Sequence, residues 1–399
     1  MFEDGVRWAG EPGSVSCRMR VLSHLRFACL FLVGVVLTGC ADLGFYAQSV
    51  SGHLAIMRAA QPVQYWLADP QASAELKARL ALSLEMRRFA STDLALPDNA
   101  SYQQFADLKR SYAVWNVTAA PVDALTLKTW CFPVAGCVGY RGYFDEGQAR
   151  ALAAELQTEG LEVSVHGVPA YSTLGWLNWA GGDPLLSTFI QYPEGELARL
   201  MFHELAHQVL YVSGDTVFNE SFATAVERAG GQRWLERHGS PKVRQEYAIF
   251  DGRRKEFLAL LRSTRQALAA LYAGQVAVDQ RSLILAKGER MQQFHQDYAR
   301  LRKDWLAAGA TPASLRGYDD WVMRANNASL GAVAAYDDLV PAFEALFARE
   351  FERVQPATTA SDRMAWVHIY AEVRRLAALG PELRQEALAK LISKESLHG

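Results

Sequence analysis

His203-Glu204-Leu205-Ala206-His207, followed by Asn219-Glu220, is the stretch on which the reading of this chain turns. In an α-helix residues four apart share a face, so both imidazoles reach toward one point while Glu204 stands beside them. Two histidines and one carboxylate form the donor set of a catalytic zinc ion that keeps one coordination position for water. The surrounding run from Glu196 to Tyr211 holds no Gly or Pro and places Leu200, His203, His207 and Leu210 on one face. Ser213-Gly214-Asp215 breaks the run, and a second helical pattern starts near Val217. Two helices joined by so short a turn bring Glu220 back against the histidines. The spacing therefore predicts His203, His207 and Glu220 as ligands of Zn²⁺ and Glu204 as a general base. Hydrogen-bonded core histidines with a solvated Glu204 are the competing reading, and the Asn-Glu on the following helix favours the metal.

The metzincin pattern is excluded, because Leu210 and Ser213 stand where it needs Gly and His. The block His203–His207 with Asn219-Glu220-Ser221-Phe222-Ala223-Thr224-Ala225-Val226-Glu227 instead resembles the active site of gluzincin aminopeptidases, whose second helix reads Asn-Glu-Gly-Phe-Ala-x-x-x-Glu. The wider chain is more similar still to the bacterial family called putative, or predicted, aminopeptidases. Cys131-Phe132-Pro133-Val134-Ala135-Gly136-Cys137, Tyr140-Arg141-Gly142-Tyr143-Phe144 and Tyr171-Ser172-Thr173-Leu174-Gly175-Trp176 resemble further blocks of that family, so the resemblance covers most of the chain after Cys40. It implies a zinc peptidase acting on peptides.

Two departures bear on the details. The gap between His207 and Glu220 is shorter than gluzincins usually have, and Glu227 sits at the more usual separation. Glu220 is taken as the ligand because Asn219 precedes it; Glu227, seven residues on and nearly above it on a helix, is taken as its support. No Gly-Ala-Met-Glu-Asn segment, the substrate-amine block of aminopeptidase-N relatives, lies upstream. An endopeptidase with the same chemistry thus stays open beside the aminopeptidase. A non-catalytic envelope lipoprotein that keeps the fold as a scaffold is the third reading, and the intact Glu204 argues against it. For the oxyanion donor the resemblance points downstream, to Tyr247 or Tyr336. Asp183, in Gly181-Gly182-Asp183, is either a site for a substrate ammonium or a solvated turn residue.

The N-terminal region reads as an export signal. Arg18, Arg20 and Arg26 precede the apolar run Phe27–Leu37, which is short for a membrane span, and Leu37-Thr38-Gly39-Cys40 resembles a bacterial lipobox. The expectation is a signal peptide over 1–39, with 1–18 an extension before a start at Met19, and a lipid anchor on Cys40. The chain would then face the periplasm, and Ala41 after the cysteine favours the outer membrane. About 360 residues remain, enough for one large or two modest domains. The expected regions are 40–240, which holds the zinc site, and a helical 241–399. Half of the residues are hydrophobic and the net charge is −2, so nothing points to nucleic-acid binding. Of five cysteines only Cys131 and Cys137 fall after the lipobox; an oxidising compartment would close them into a disulfide, a reducing one would leave structural thiols.

The fold expected is α+β and mainly helical, a gluzincin-like core with a small β-sheet and a helical C-terminal part. Residues 44–115 read as mostly helical, 110–144 as short strands, 146–159 as a helix and Leu161–Val165 as a strand. Leu186–Tyr192 is a strand candidate whose edge, by analogy with gluzincins, would pair with extended substrate. After Ser240 helices are expected over 242–273, 277–308, 329–352, 362–378 and 381–395.

Overall fold

The computed structural model describes residues 43–132, 136–173, 181–274, 279–335, 338–354 and 358–395. The signal-like segment, Cys40 and Tyr336 lie outside the described residues. The chain divides into two compact units, Met1–Leu54 and Ala55–Gly399; the fold described here is that of the second, which is mainly helical with small sheets. Among the described residues no helix is long and apolar enough to cross a membrane.

Helix starts follow their capping residues. After α1 (Val63–Ala68), α2 (Ala74–Thr92) begins where Ser73 accepts the Leu76 N–H at 3.1 Å. Asp145 and Asp215 do the same for α3 (Glu146–Thr158) and α5 (Thr216–His238), and Ser240 for α6 (Pro241–Ala273). Between α3 and α5 runs α4 (Glu194–Val209), with Glu194 and Glu196 at its positive end; it stops where Leu210 turns extended. Then come α7 (Gln280–Ala307), α8 (Pro312–Met323), α9 (Asn327–Ala335), α10 (Val340–Arg353), α11 (Thr359–Ala377) and α12 (Pro381–Glu395).

The strands form three small sheets. In the first, β1 (Ala60–Pro62) pairs antiparallel with β2 (Gln104–Ala106), which pairs in parallel with β8 (Leu185–Leu186). The second has β3 (Val114–Ala120) between β6 (Arg141–Tyr143) and β7 (Glu162–Val168), with Trp115 opposite Tyr143 and Val117 opposite Val165. The third is the hairpin of β4 (Trp130–Phe132) and β5 (Gly136–Val138), where Cys131 faces Cys137 and the two are joined as a disulfide.

One sequence expectation holds and three are corrected. Residues 44–115 are mostly helical as expected, over 43–59, Val63–Ala68 and Ala74–Thr92, with the short strands β1 and β2 set among these helices. Leu186–Tyr192 is not a strand beyond Leu186: the Leu186 carbonyl accepts the N–H groups of Phe189 and Ile190, and Arg79 binds the Ile190 carbonyl, so the backbone curls into turns. That leaves no long edge for a substrate at this place. The helix expected over 329–352 is two helices, because Pro341 sits in the first turn of α10 and cannot continue a helix that reaches it. Finally, residues 312–323, left out of the expected helices, form α8, with Pro312 in its first turn behind a Thr311–Ser314 capping box.

The main core is built on α4 and α5. Leu197, Met201, Phe202 and Leu205 of α4 and Phe218, Phe222 and Val226 of α5 are fully buried, with Phe89, Trp234, Phe343 and Trp366 around them. Each such side chain contributes about 1.5–3 kcal/mol by leaving water. A second cluster, centred on Phe257, Phe294, Trp305 and Leu315, binds α6, α7 and α8 together.

Candidate metal centre

Two features of the turn between α4 and α5 fix where Glu220 stands. Asp215 caps α5 by accepting the Phe218 N–H at 3.1 Å. Asn219, 1% exposed, brackets the turn: its Oδ1 accepts the Val212 N–H and its Nδ2 donates to the Val212 carbonyl, both at 2.8 Å. The Asn of the Asn-Glu pair thus works as a backbone clamp, and the next residue is delivered to the histidine face.

There His203, His207 and Glu220 bring their ligand atoms together. His203 Nε2 and His207 Nε2 are 3.2 Å apart; Glu220 Oε2 lies 3.2 Å from the first and 3.6 Å from the second. Ligands about 2.0–2.1 Å from a tetrahedral zinc ion stand roughly 3.3 Å from one another. The two nitrogens and one oxygen therefore fit that ion in spacing and in chemistry. Burial opposes charge on Glu220, but the facing imidazoles outweigh it and hold its carboxyl well below the ordinary value.

Glu227 approaches from the other edge of the same ring, with Oε2 3.0 Å from His203 Nδ1. Its second oxygen pairs with Arg199, a buried guanidinium that also faces Asp251 at 3.5 Å and Glu196 at 3.7 Å. The stem of Arg199 lies where a side chain at Gly231 would be, 2.6 Å from that Cβ position, so the glycine makes room for it. Burial would push the Glu227 carboxyl up, yet Arg199 and His203 hold it down at about 2. An anionic Glu227 beside His203 Nδ1 favours the proton there and leaves the Nε2 lone pair facing His207 and Glu220.

Glu204 differs from these groups: it makes no hydrogen bond or ion pair among the described residues. Burial raises its carboxyl above the ordinary value, against the pull of His203 and His207. Tyr140 and Tyr211 surround the cluster, their hydroxyls kept protonated by burial and by the charge on Glu220. Sequence reading quoted Tyr140 only as part of a block and gave it no role; its signal was its place directly after the cysteine loop.

Other candidates are placed elsewhere. Tyr247 packs on Gly195, two turns before His203, and its hydroxyl accepts from Arg199 at 3.3 Å. Asp183 is not a solvated turn residue: it is 1% exposed and accepts the Thr173 N–H, the Thr173 and Ser172 hydroxyls and, at 3.4 Å, the Gln208 amide. Gln208 follows His207, and it also meets Asn99 and Ser101. Asp183 is thus a latch between its own loop and the histidine helix.

A mainly helical α+β fold in which two adjacent helices present His₂Glu to one point is the class of protein that these observations define. The chain belongs to the putative aminopeptidase family, whose description it matches over residues 44–388. That description points to a peptidase. No curated protein and no solved structure matches the chain.

Proposed function

We propose that the chain is a zinc-dependent peptidase, an aminopeptidase as the family description says, with a gluzincin-like core. One observation carries the reading: beside a His₂Glu cluster whose members are all engaged, Glu204 is a carboxylate that no described residue holds. A purely structural zinc site needs ligands and no such base. In this reading His203, His207 and Glu220 hold Zn²⁺, and Glu227 with Arg199 orients His203. A bound Zn²⁺ supplies Lewis acidity that brings the pKa of water from about 16 to about 7. Glu204 accepts a proton from the attacking water and returns it to the leaving amine, the task for which a buried, upward-shifted carboxyl is suited. Tyr140, a phenol that stays protonated, donates to the carbonyl oxygen as charge develops there.

The test is hydrolysis of free-amine and N-blocked peptides by zinc-loaded protein, with Glu204→Gln beside it. Glu204→Gln should bind zinc as the parent does and lose at least a hundredfold in kcat; full activity in that variant ends the mechanism. Cleavage of free-amine peptides alone supports the aminopeptidase, and equal cleavage of blocked ones an endopeptidase. The proposal includes a lipid anchor at Cys40 that holds the enzyme at the envelope, facing periplasmic peptides. Labelled palmitate should enter the parent and not Cys40→Ala.

A further inference from the structure

A cavity of about 370 Å³ opens between β3, the cysteine hairpin, the start of α5 and α9. Its lining is predominantly apolar, with Leu125, Leu127, Val217, Ala332 and Ala334 among the residues that form it. Small residues draw the walls together: a Cβ on Gly331 would stand 2.4 Å from the Leu125 carbonyl oxygen, and one on Gly139 2.8 Å from Leu127.

The cavity adjoins the metal cluster by two routes. Val217 lies three residues before Glu220 on α5, so the two side chains share a face of that helix. Tyr140 belongs both to the cavity wall and to the shell around Glu220 and Glu204. Among the described residues no Lys, Arg or Glu lines it. Asp215, a carboxylate in the lining, is spent on capping α5 and on Arg384. His166, also in the lining, is solvent-exposed.

We propose that this cavity receives the side chain of the substrate residue next to the scissile bond, and that it selects large aliphatic or aromatic side chains. The proposal rests on the peptidase reading for the word substrate; the cavity's selectivity can be tested without it. An apolar cavity of about 150 Å³ already admits a benzene ring, so the space here accommodates leucine, methionine or phenylalanine. A charged side chain would shed its hydration and meet no opposite charge.

Two measurements test this. Ligand-observed NMR compares L-leucinamide and L-phenylalaninamide with glycinamide on metal-free protein. Kinetics on zinc-loaded protein compare peptides that carry Leu, Phe, Met, Ala, Gly, Lys or Glu at the cleaved position. Each buried methylene is worth about fourfold, so Leu should exceed Ala by tenfold or more in kcat/KM. Ala332→Phe fills the cavity and should erase that preference while alanine peptides are still cut. Leu127→Ala enlarges it and should move the preference toward tryptophan, which keeps the proposal testable if the first variant misfolds. An unchanged order of substrates in both folded variants, or no discrimination in the parent, overturns the subsite. If no peptide is cut at all while leucinamide binds and Ala332→Phe abolishes that binding, the peptidase reading fails and the apolar selectivity of the cavity stands.

Discussion

Replacing Glu227 and Glu220 one at a time should separate two carboxylates that stand seven residues apart on the same helix. Glu227 touches His203 at Nδ1, 3.0 Å away, and Arg199 with its other oxygen. Glu220 touches both Nε2 atoms, at 3.2 and 3.6 Å. Glu227→Gln keeps an acceptor for the Nδ1 proton and loses the charge that pins it. Loss of such an orienting partner weakens metal binding by about 10–100-fold, or roughly 1.4–2.7 kcal/mol. A second cost falls on the metal-free protein, because Arg199 is 4% exposed and loses its nearest anion. Breaking a buried ion pair costs about 3–5 kcal/mol. Asp251 and Glu196 remain near Arg199, so the loss should lie at the low end of that range. Glu220→Gln removes a ligand atom instead and should abolish stoichiometric zinc binding at concentrations that saturate the parent. Competition with a chelator reads the first effect, and urea unfolding of the metal-free proteins the second. The reasoning is refuted if Glu227→Gln loses zinc while Glu220→Gln retains it.

Asn219→Ala leaves the Val212 N–H and carbonyl without their partner, at about 1–3 kcal/mol each, and should lower the unfolding free energy of the metal-free protein, read by urea titration, by about 2 kcal/mol or more. The Glu227 carboxyl falls from its ordinary 4.5 in the unfolded chain to about 2 in the fold; its contribution, on the order of 3 kcal/mol, is present above pH 4.5 and should drain away as the pH drops toward 2. Urea titrations of metal-free parent and Glu227→Gln across that window should show a steeper acid loss in the parent, and parallel curves would contradict the assignment. Reducing the Cys131–Cys137 bond, or Cys131→Ser with Cys137→Ser, should cost about 2 kcal/mol for so short a loop, with no loss of zinc.

Much of the fold could be read from the sequence because caps and periodicity are local. Ser73, Asp145, Asp215 and Ser240 each stand before an apolar-periodic run, and helices begin there. The misreadings have local causes too. Pro312 and Gly317 look like breaks, yet a proline in the first turn costs a helix nothing and Gly317 sits mid-helix. Leu186–Tyr192 is dense in strand formers, but pairing partners decide strands, and here only Leu185 and Leu186 find one. The grouping of His203, His207 and Glu220 was legible from spacing alone. Tyr140 and the apolar cavity were not, since they depend on sheet, hairpin and α9 coming together from residues more than two hundred positions apart. Nor was the role of Asp183, whose partners Thr173 and Gln208 stand 10 and 25 residues from it in sequence.

The two edges of the His203 ring explain why one chain needs both glutamates. A ring that binds through Nε2 must carry its proton on Nδ1, and the nitrogens point in different directions, so no single carboxylate can serve both. On α5 two turns separate Glu220 from Glu227, and the ring of His203 lies between them, one oxygen at Nε2 and another at Nδ1. The interval of seven is therefore set by the ring that it spans. Gly231, one turn further, admits the Arg199 stem that keeps Glu227 anionic. Asn219, on the turn side, holds the register against Val212. Of the carboxylates around the histidines, Glu220, Glu227 and Asp183 are all committed to partners, and Glu204 alone among the described residues is not. Protons that move during a reaction need one group of that kind; each of the others is already employed in holding the geometry still.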